Sequence, residues 1–288
     1  MEIASILFPV LFIVLLGYFY ARKFKPDMDV ANGLVLRVFI PALAFDVLSK
    51  GDFQVVAYSW LMLGGVIVVL GSGLIAWPVG KLFRIPKQVF VPTMMFNNCG
   101  NLGLPLAVLA FGDHALGAAV VLFLISNIGH FTVGVYLFGG AVSWKSLAVT
   151  PVNLATLLAL VFNFSGIRVP EMIQFPISLL AQVGIPLMLF SLGVRMLSIR
   201  FDHWKVGLIG GLVCPVSGLI GAYVASLVLP LDPMELGVLF LFAALPPAVL
   251  NFLFAERYRQ HPELVASVVL LSHAMAIVVL SVVLWWLV

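Results

Sequence analysis

Stretches of about 20 mainly apolar residues recur along the whole chain, and short links between them hold most of the charged residues. An α-helix needs about 20 apolar residues to cross the hydrocarbon core of a bilayer. We therefore expect an all-α polytopic membrane protein with the lipid bilayer as its main partner and no soluble domain. The pattern predicts about ten transmembrane helices, at residues 3–21, 30–49, 54–80, 88–111, 115–140, 149–166, 172–198, 204–229, 234–256 and 263–287.

The composition excludes several classes of protein. A hydrophobic fraction of 63%, a charged fraction of 9% and a mean hydropathy of +1.18 leave too little polar surface for a water-soluble globule. Cys99 and Cys214 both lie inside apolar stretches, so we expect neither a disulfide nor a metal site, and no other cofactor. There is no basic run interleaved with aromatic residues, no HExxH motif and no evident catalytic dyad. We expect no nucleic-acid partner and no enzymatic activity.

The charged links predict how the chain is oriented. The first stretch lacks a basic leader and precedes its basic residues, so it is predicted to be a retained helix whose N-terminus is outside. With ten spans, the outer links then hold only Lys50 and Arg168 among the basic residues. The inner links hold Arg22, Lys23, Lys25, Lys81, Arg84, Lys87, Lys145, Arg200, Lys205, Arg257 and Arg259. We expect both termini outside, in the inner membrane of a bacterium.

The two halves of the chain repeat each other at an offset of 145 to 146 residues. The matched positions are Ile40, Pro41 and Phe45 with Ile185, Pro186 and Phe190, and Leu124, Ile125 and Ser126 with Leu270, Leu271 and Ser272. Because each half holds five spans, the second half enters the membrane from the opposite side. We predict two inverted five-helix repeats, at residues 1–140 and 149–288, joined by a cytoplasmic linker at 141–148.

Two stretches contain helix-breaking residues at equivalent places in the two halves. In the fourth stretch, residues 97–105 read Asn-Asn-Cys-Gly-Asn-Leu-Gly-Leu-Pro, and in the ninth stretch Pro246 and Pro247 remove two backbone donors. Each break is predicted to expose the N-terminus of a half-helix, with free N–H groups and a partial positive charge. Paired breaks of this kind are typical of the substrate site of a transporter.

An anion suits such a site, but helix ends alone cannot hold a buried carboxylate. Amide donors from Asn98 and Asn101 and the water of an open cavity are expected to share the task. The alternative is that Asn97, Asn98 and Asn101 only satisfy backbone groups freed by the break. The predicted substrate-binding residues are Asn98, Gly100, Asn101, Pro246, Pro247, Val249 and Asn251.

Ionisable residues within or beside the spans are candidates for coupling transport to an ion gradient. The proton-coupling candidates are Asp113, Asp46 and His273. Asp113 and Asp46 are expected toward the outer face, whereas His130 and His273 lie well inside apolar stretches, where a packing role is the alternative to a proton relay. No acidic and amide cluster like a sodium cage accompanies the breaks, which favours protons over sodium.

Several segments resemble the auxin efflux carrier family, which includes plant auxin carriers and shorter bacterial organic-acid permeases. Residues 184–193 (GIPLMLFSLG) resemble the seventh helix of that family, and residues 244–262 resemble its ninth helix and the link that follows. Asn98 with residues 103–106 (GLPL) resembles the fourth-helix crossover, and residues 41–49 resemble the second helix. The likeness therefore covers nearly the whole chain.

The resemblance implies a fold like that of bile-acid symporters, in which broken helices 4 and 9 cross. Helices 1, 2, 6 and 7 would form a scaffold that mediates a homodimer, and helices 3–5 and 8–10 a moving core. Asn98 would correspond to the asparagine that binds the substrate carboxylate, and Pro246 to the proline of the ninth helix. Asp113 would correspond to an acidic residue of the support site in the plant carriers.

The chain also departs from the plant pattern. It lacks the long cytoplasmic loop, Pro247 and Asn251 replace other residues, and Tyr58 and Met62 lie near the positions of an Asp/Lys pair in the third helix. We therefore expect a secondary transporter of a small carboxylate such as malate or malonate rather than of auxin. It is expected to work by an elevator motion driven by protons or by the membrane potential. The alternatives are a sodium-coupled organic-anion symporter and a membrane sensor derived from a transporter.

Overall fold

The computed structural model describes residues 3–50, 53–198 and 203–287, and these ranges contain helices but no β-strand. The helices are α1 (Ile3–Phe24), α2 (Asp29–Leu48), α3 (Val55–Leu82), α4 (Lys87–Met95), α5 (Cys99–Phe111), α6 (Asp113–Leu137), α7 (Trp144–Ala148), α8 (Pro151–Ser165), α9 (Glu171–Arg195), α10 (Trp204–Val228), α11 (Pro233–Ala244), α12 (Leu250–Arg257) and α13 (Pro262–Leu287). Some of them contain a π or 3₁₀ turn, and α6 contains one of each.

Seven helices in the described part of the chain are long and apolar enough to cross a membrane: α1, α2, α3, α6, α9, α10 and α13. Large apolar side chains cover their outer surfaces. Phe8, Phe12 and Phe19 of α1, for example, are each more than half exposed. A water-soluble monomer does not carry apolar patches of this extent, whereas lipid chains solvate them.

The remaining apolar stretches differ from continuous spans. The fourth predicted stretch is divided into α4 and α5, and the ninth into α11 and α12, so the predicted interruptions are present. The sixth stretch, α8, has only 15 residues. The link predicted at 141–148 contains a short helix, α7, that the apolar pattern does not predict.

The chain divides into two compact units. Residues 8–59 and 143–197 form the smaller unit, and residues 1–7, 60–142 and 198–288 form the larger unit. The larger unit thus contains both interrupted helices. Each unit combines segments from the two halves of the sequence.

In the larger unit, α10 packs along α13 and also against α11. Gly218 of α10 makes the second contact possible, because a Cβ atom there would overlap the backbone carbonyl of Ala243. Small residues let transmembrane helices approach closely in this way. The contact holds the last turn of α11 directly before its interruption. The larger unit also contains an apolar cluster that includes Phe90, Phe138 and Phe254.

In the smaller unit, α2 packs against α8 and α9. The side-chain amide of Asn163 donates hydrogen bonds to the carbonyls of Leu48, at 3.1 Å, and Phe53, at 2.6 Å, which satisfies backbone acceptors at the end of α2. Gly193 of α9 has no room for a side chain, since a Cβ atom would overlap the carbonyl of Val14. The smaller unit is therefore held by close backbone packing and by hydrogen bonds at the helix ends.

Candidate functional site

The two interrupted helices meet at their breaks. The backbone N–H of Asn98 donates to the carbonyl of Pro246 at 2.7 Å, and the N–H of Ala248 donates to the carbonyl of Phe96 at 2.8 Å. Asn97 and Pro247 form an antiparallel bridge between these bonds. The backbone groups freed by one break are thus satisfied by the other, which is how non-helical backbone is tolerated at membrane depth.

The prolines suit this arrangement because each lacks an N–H group. Pro246 takes part through its carbonyl, and Leu245 before it has the extended conformation that a following proline favours (φ −64°, ψ 145°). Both prolines are buried. In this arrangement the two prolines interrupt the helix and stabilise the interruption.

Two helices begin beside the bridge. α5 begins at Cys99 with a π turn, and the carbonyl of Asn98 accepts from the N–H groups of Leu102 and Gly103, both at 3.1 Å. α12 begins at Leu250. Each break therefore contains the N-terminus of one half-helix, which carries partial positive charge, together with the C-terminus of another, at Met95 or Ala244. The half-buried residues at these ends are Gly100, Asn101, Val249 and Leu250.

The side chain of Asn98 is 4% exposed and its amide nitrogen lies 2.9 Å from Nε2 of His273 on α13. Nδ1 of the same ring lies 2.7 Å from the carbonyl of Val269. A carbonyl can only accept, so Nδ1 carries the hydrogen, and Nε2 of the neutral ring accepts from Asn98. The sequence predicts Asn98 and His273 in separate sets, for substrate binding and for proton coupling, and contains no signal that the two pair.

Asn251, also predicted to bind substrate, is 0% exposed and bonded at both ends of its amide. Its nitrogen donates to the carbonyl of Phe96 at 2.9 Å, and its oxygen accepts from Nε2 of His130, also at 2.9 Å. The His130 ring stacks on Phe96, with centroids 4.4 Å apart, and meets Phe254 edge-on at 5.0 Å. The amide of Asn251 therefore links α6 to the backbone of the other break.

Asn97, which the predicted substrate-binding set leaves out, is part of the same network. Its amide nitrogen donates to the carbonyl of Phe242 at 2.5 Å, one of the last carbonyls of α11. Its oxygen is buried and has no donor among the described residues. A helix-breaking run rich in asparagine is a signal for such backbone caps, but it does not indicate which asparagine caps which carbonyl.

The acidic coupling candidates lie elsewhere. Asp113 is exposed in the 3₁₀ turn that begins α6, separated from Asn98 by the whole of α5, about 20 Å at the usual helical rise. Asp46 is buried in the smaller unit, where one carboxylate oxygen accepts from Gln174 at 2.7 Å and from Ser178, and the other pairs with Lys50 at 3.1 Å. Of the three candidates, only His273 contacts the break.

The donors at the breaks are amides, imidazoles and backbone groups. Within the described ranges no group of three or more His, Cys, Asp or Glu residues is arranged to hold a metal ion. An amide donor between two helix N-termini is suited to bind an anionic oxygen.

Comparison with known proteins agrees with this architecture. The family model described as "Membrane transport protein" matches residues 3–284. An uncharacterized transporter of Methanocaldococcus jannaschii is 24% identical, with 94% of each chain covered. A putative malonate transporter of Rhizobium meliloti is 24% identical, with 96% of this chain and 93% of the relative covered. Auxin efflux carrier component 8 of Arabidopsis thaliana is 24% identical, with 96% and 95% covered.

These matches span nearly the whole chain and name membrane transporters, not enzymes. Together with the seven span-length helices, they identify a multi-pass membrane protein. The chain belongs to the membrane transport protein family, the family of the auxin efflux carriers.

Proposed function

We propose that this protein is a secondary active transporter of small organic anions that binds the substrate carboxylate at the meeting point of the two breaks. The observation that carries the proposal is the buried amide of Asn98 beside the N-termini of α5 and α12. Transport of a small carboxylate is also consistent with the relative named as a putative malonate transporter.

The magnitudes favour weak, reversible binding. A hydrogen bond to a charged group contributes about 1.5–3 kcal/mol, and one helix end contributes at most about 2 kcal/mol. One amide and two helix ends offset part of the cost of removing a carboxylate from water. Gly100 and Asn101 are half-buried, so water at these positions is expected to supply the remaining hydrogen bonds to the carboxylate. A carrier must release its substrate, so an affinity of this kind suits the function.

The hydrogen bonds of the Asn98 and Asn251 amides support different roles for the two residues in this proposal. Asn251 uses both ends of its amide within the protein, so we assign it to holding the crossover. Asn98 has a second amide hydrogen beyond the one that His273 accepts, so we assign it to the substrate. Pro246, Pro247 and Val249 then shape the break, and Gly100 and Asn101 line its open side.

We propose an elevator mechanism in which the larger unit carries the crossover as one body. Support comes from the division of the chain, because every described contact at the breaks lies within that unit. The smaller unit would be the scaffold and the homodimer contact, and the two halves would be inverted repeats. The charge of the links supports a bacterial inner-membrane protein with both termini outside.

The driving force in this proposal is protons or the membrane potential, with sodium coupling as the alternative. Asp113, Asp46 and His273 remain the proton-coupling candidates, and His273 is the one that contacts the proposed ligand Asn98. Purified protein in liposomes separates these cases. Labelled malonate uptake is measured with an inward proton gradient, with a sodium gradient and with a potential set by potassium and valinomycin.

Saturable uptake driven by one of these gradients is the expected result. The same preparation is tested against a panel of mono- and dicarboxylates by thermal shift, because a ligand that binds the folded state raises the melting temperature. Failure of every carboxylate to stabilise the protein or to enter the liposomes would refute the proposal.

A further inference from the structure

The ring of His273 lies in a chain of two hydrogen bonds with a fixed direction. Its Nδ1 donates to the carbonyl of Val269, one turn earlier on the same helix, at 2.7 Å. Its Nε2 accepts from the amide of Asn98 at 2.9 Å. The first bond selects the tautomer, and the tautomer makes Nε2 an acceptor. The ring therefore turns the amide of Asn98 so that its nitrogen, not its oxygen, faces α13.

We propose that His273 is a positioning residue for carboxylate binding: it sets how many amide hydrogens Asn98 can offer to the substrate. This inference rests on the proposed function and assigns a role to a neighbour of its site. With the neutral ring, one amide hydrogen is used by Nε2 and one is left. With a protonated ring, both ring nitrogens carry hydrogen and Nε2 can no longer accept. The amide then turns to present its oxygen to Nε2, and both its hydrogens become free for an anion.

The second histidine pair shows why the chemistry is specific to His273. Nε2 of His130 donates to Asn251, so protonation of that ring leaves the bond unchanged. The amide of Asn251 also cannot turn without losing its bond to the carbonyl of Phe96. Two similar pairs at one crossover thus respond differently to a proton, because one ring accepts and the other donates.

No ionisable side chain competes with Asn98 for the ring in the described part of the protein. Helices α4, α10, α11 and α12 pack against α13. Their ionisable residues are Lys87 on α4, Lys205, Cys214 and Tyr223 on α10, Glu235 on α11, and Glu256 and Arg257 on α12, with Glu263 on α13 itself. None of these forms a described hydrogen bond or ion pair with His273. In the described residues, the hydrogen-bond partners of the ring are Asn98 and Val269.

The test is the pH profile of malonate uptake into liposomes by the parent, His273→Gln and His130→Gln. Glutamine can accept from Asn98 but does not titrate. We expect the ratio of KM of the parent to KM of His273→Gln to fall as the pH is lowered from 8 to 5.5, since one more charge-assisted bond forms with the protonated ring. Comparison of the two proteins cancels the titration of malonate itself. His130→Gln is expected to keep the parent profile.

An identical profile for His273→Gln and the parent overturns the inference and leaves the proposed function standing. Carboxylate uptake that does not depend on Asn98 overturns the proposed binding site, and with it this inference. If His273→Gln has a lower melting temperature than His130→Gln, the profile is measured on His273→Asn as well. Asparagine does not titrate either, so the pH dependence is again expected to disappear; its persistence overturns the inference.

Discussion

The side-chain amide of Asn98 donates to His273, which lies 175 residues away in the sequence, at 2.9 Å. The reciprocal pair, His130 with Asn251, spans 121 residues at the same distance. In each pair, an asparagine at the break of one half of the chain contacts a histidine on a long helix of the other half. The two breaks are thus fixed by side chains as well as by their shared backbone bonds.

Asn98→Ala is expected to abolish carboxylate uptake while the protein still folds. The change removes a donor to the substrate and leaves Nε2 of His273 without its partner, which costs about 1–3 kcal/mol of stability. The measurement is malonate uptake at matched amounts of reconstituted protein. Asn153→Ala, the same substitution in the smaller unit, is the control for effects of expression and reconstitution on uptake. Uptake by Asn98→Ala equal to that of the parent contradicts the assignment.

Asn251→Ala is expected to lower the stability of the protein and to leave KM for the substrate almost unchanged. It leaves the buried Nε2–H of His130 without a partner, which costs about 1–3 kcal/mol, and it removes one of the two hydrogen bonds to the carbonyl of Phe96. The melting temperature in detergent should fall further than for Asn98→Ala, and KM of the remaining folded protein should stay near that of the parent. A large rise in KM without a loss of stability would mean that Asn251 contacts the substrate.

The positions of the breaks could be predicted from the sequence because the cause is local. Proline removes a donor, and a run of glycine and asparagine at mid-span disfavours a continuous helix. The roles of the individual asparagines could not be predicted, because each role depends on a partner far away in the chain. Asn97 caps Phe242, Asn98 meets His273, and Asn251 meets His130.

The acidic candidates illustrate the same limit. The sequence predicts Asp46 within or at the edge of an apolar stretch, toward the outer face, and the structure shows that its side chain is buried. The sequence contains no local signal that Gln174 and Ser178, on another helix, supply hydrogen bonds to it. These hydrogen bonds give the carboxylate a structural role, as an alternative to a role in coupling. Only the tertiary contacts show this, because the donors lie on another helix.

Gly218→Ala is expected to destabilise the larger unit. A Cβ atom at this position overlaps the backbone of Ala243, and backbone cannot move aside as a flexible side chain can. Overpacking of this kind costs about 1–3 kcal/mol. Gly71→Ala is the matched control, because its Cβ would meet Gly221 at an ordinary 3.9 Å. Melting temperatures in one detergent should fall for Gly218→Ala and be unchanged or higher for Gly71→Ala; equal values would contradict the packing argument.

Substitutions of Asp46 distinguish an anchoring role from a coupling role. Asp46→Ala leaves the donors of Gln174 and Ser178 without an acceptor and should cost about 1–3 kcal/mol of stability. Asp46→Asn keeps an oxygen for both donors and loses only the ion pair with Lys50, whose side chain is 51% exposed. Solvent screens the Lys50 end of the pair although the carboxylate is buried, so Asp46→Asn and Lys50→Gln should both melt closer to the parent than Asp46→Ala does. Proton movement driven by malonate in liposomes should also match the parent in Asp46→Asn. If Asp46→Asn instead moves malonate without protons, Asp46 is the coupling residue and its network does more than join α2 to α9.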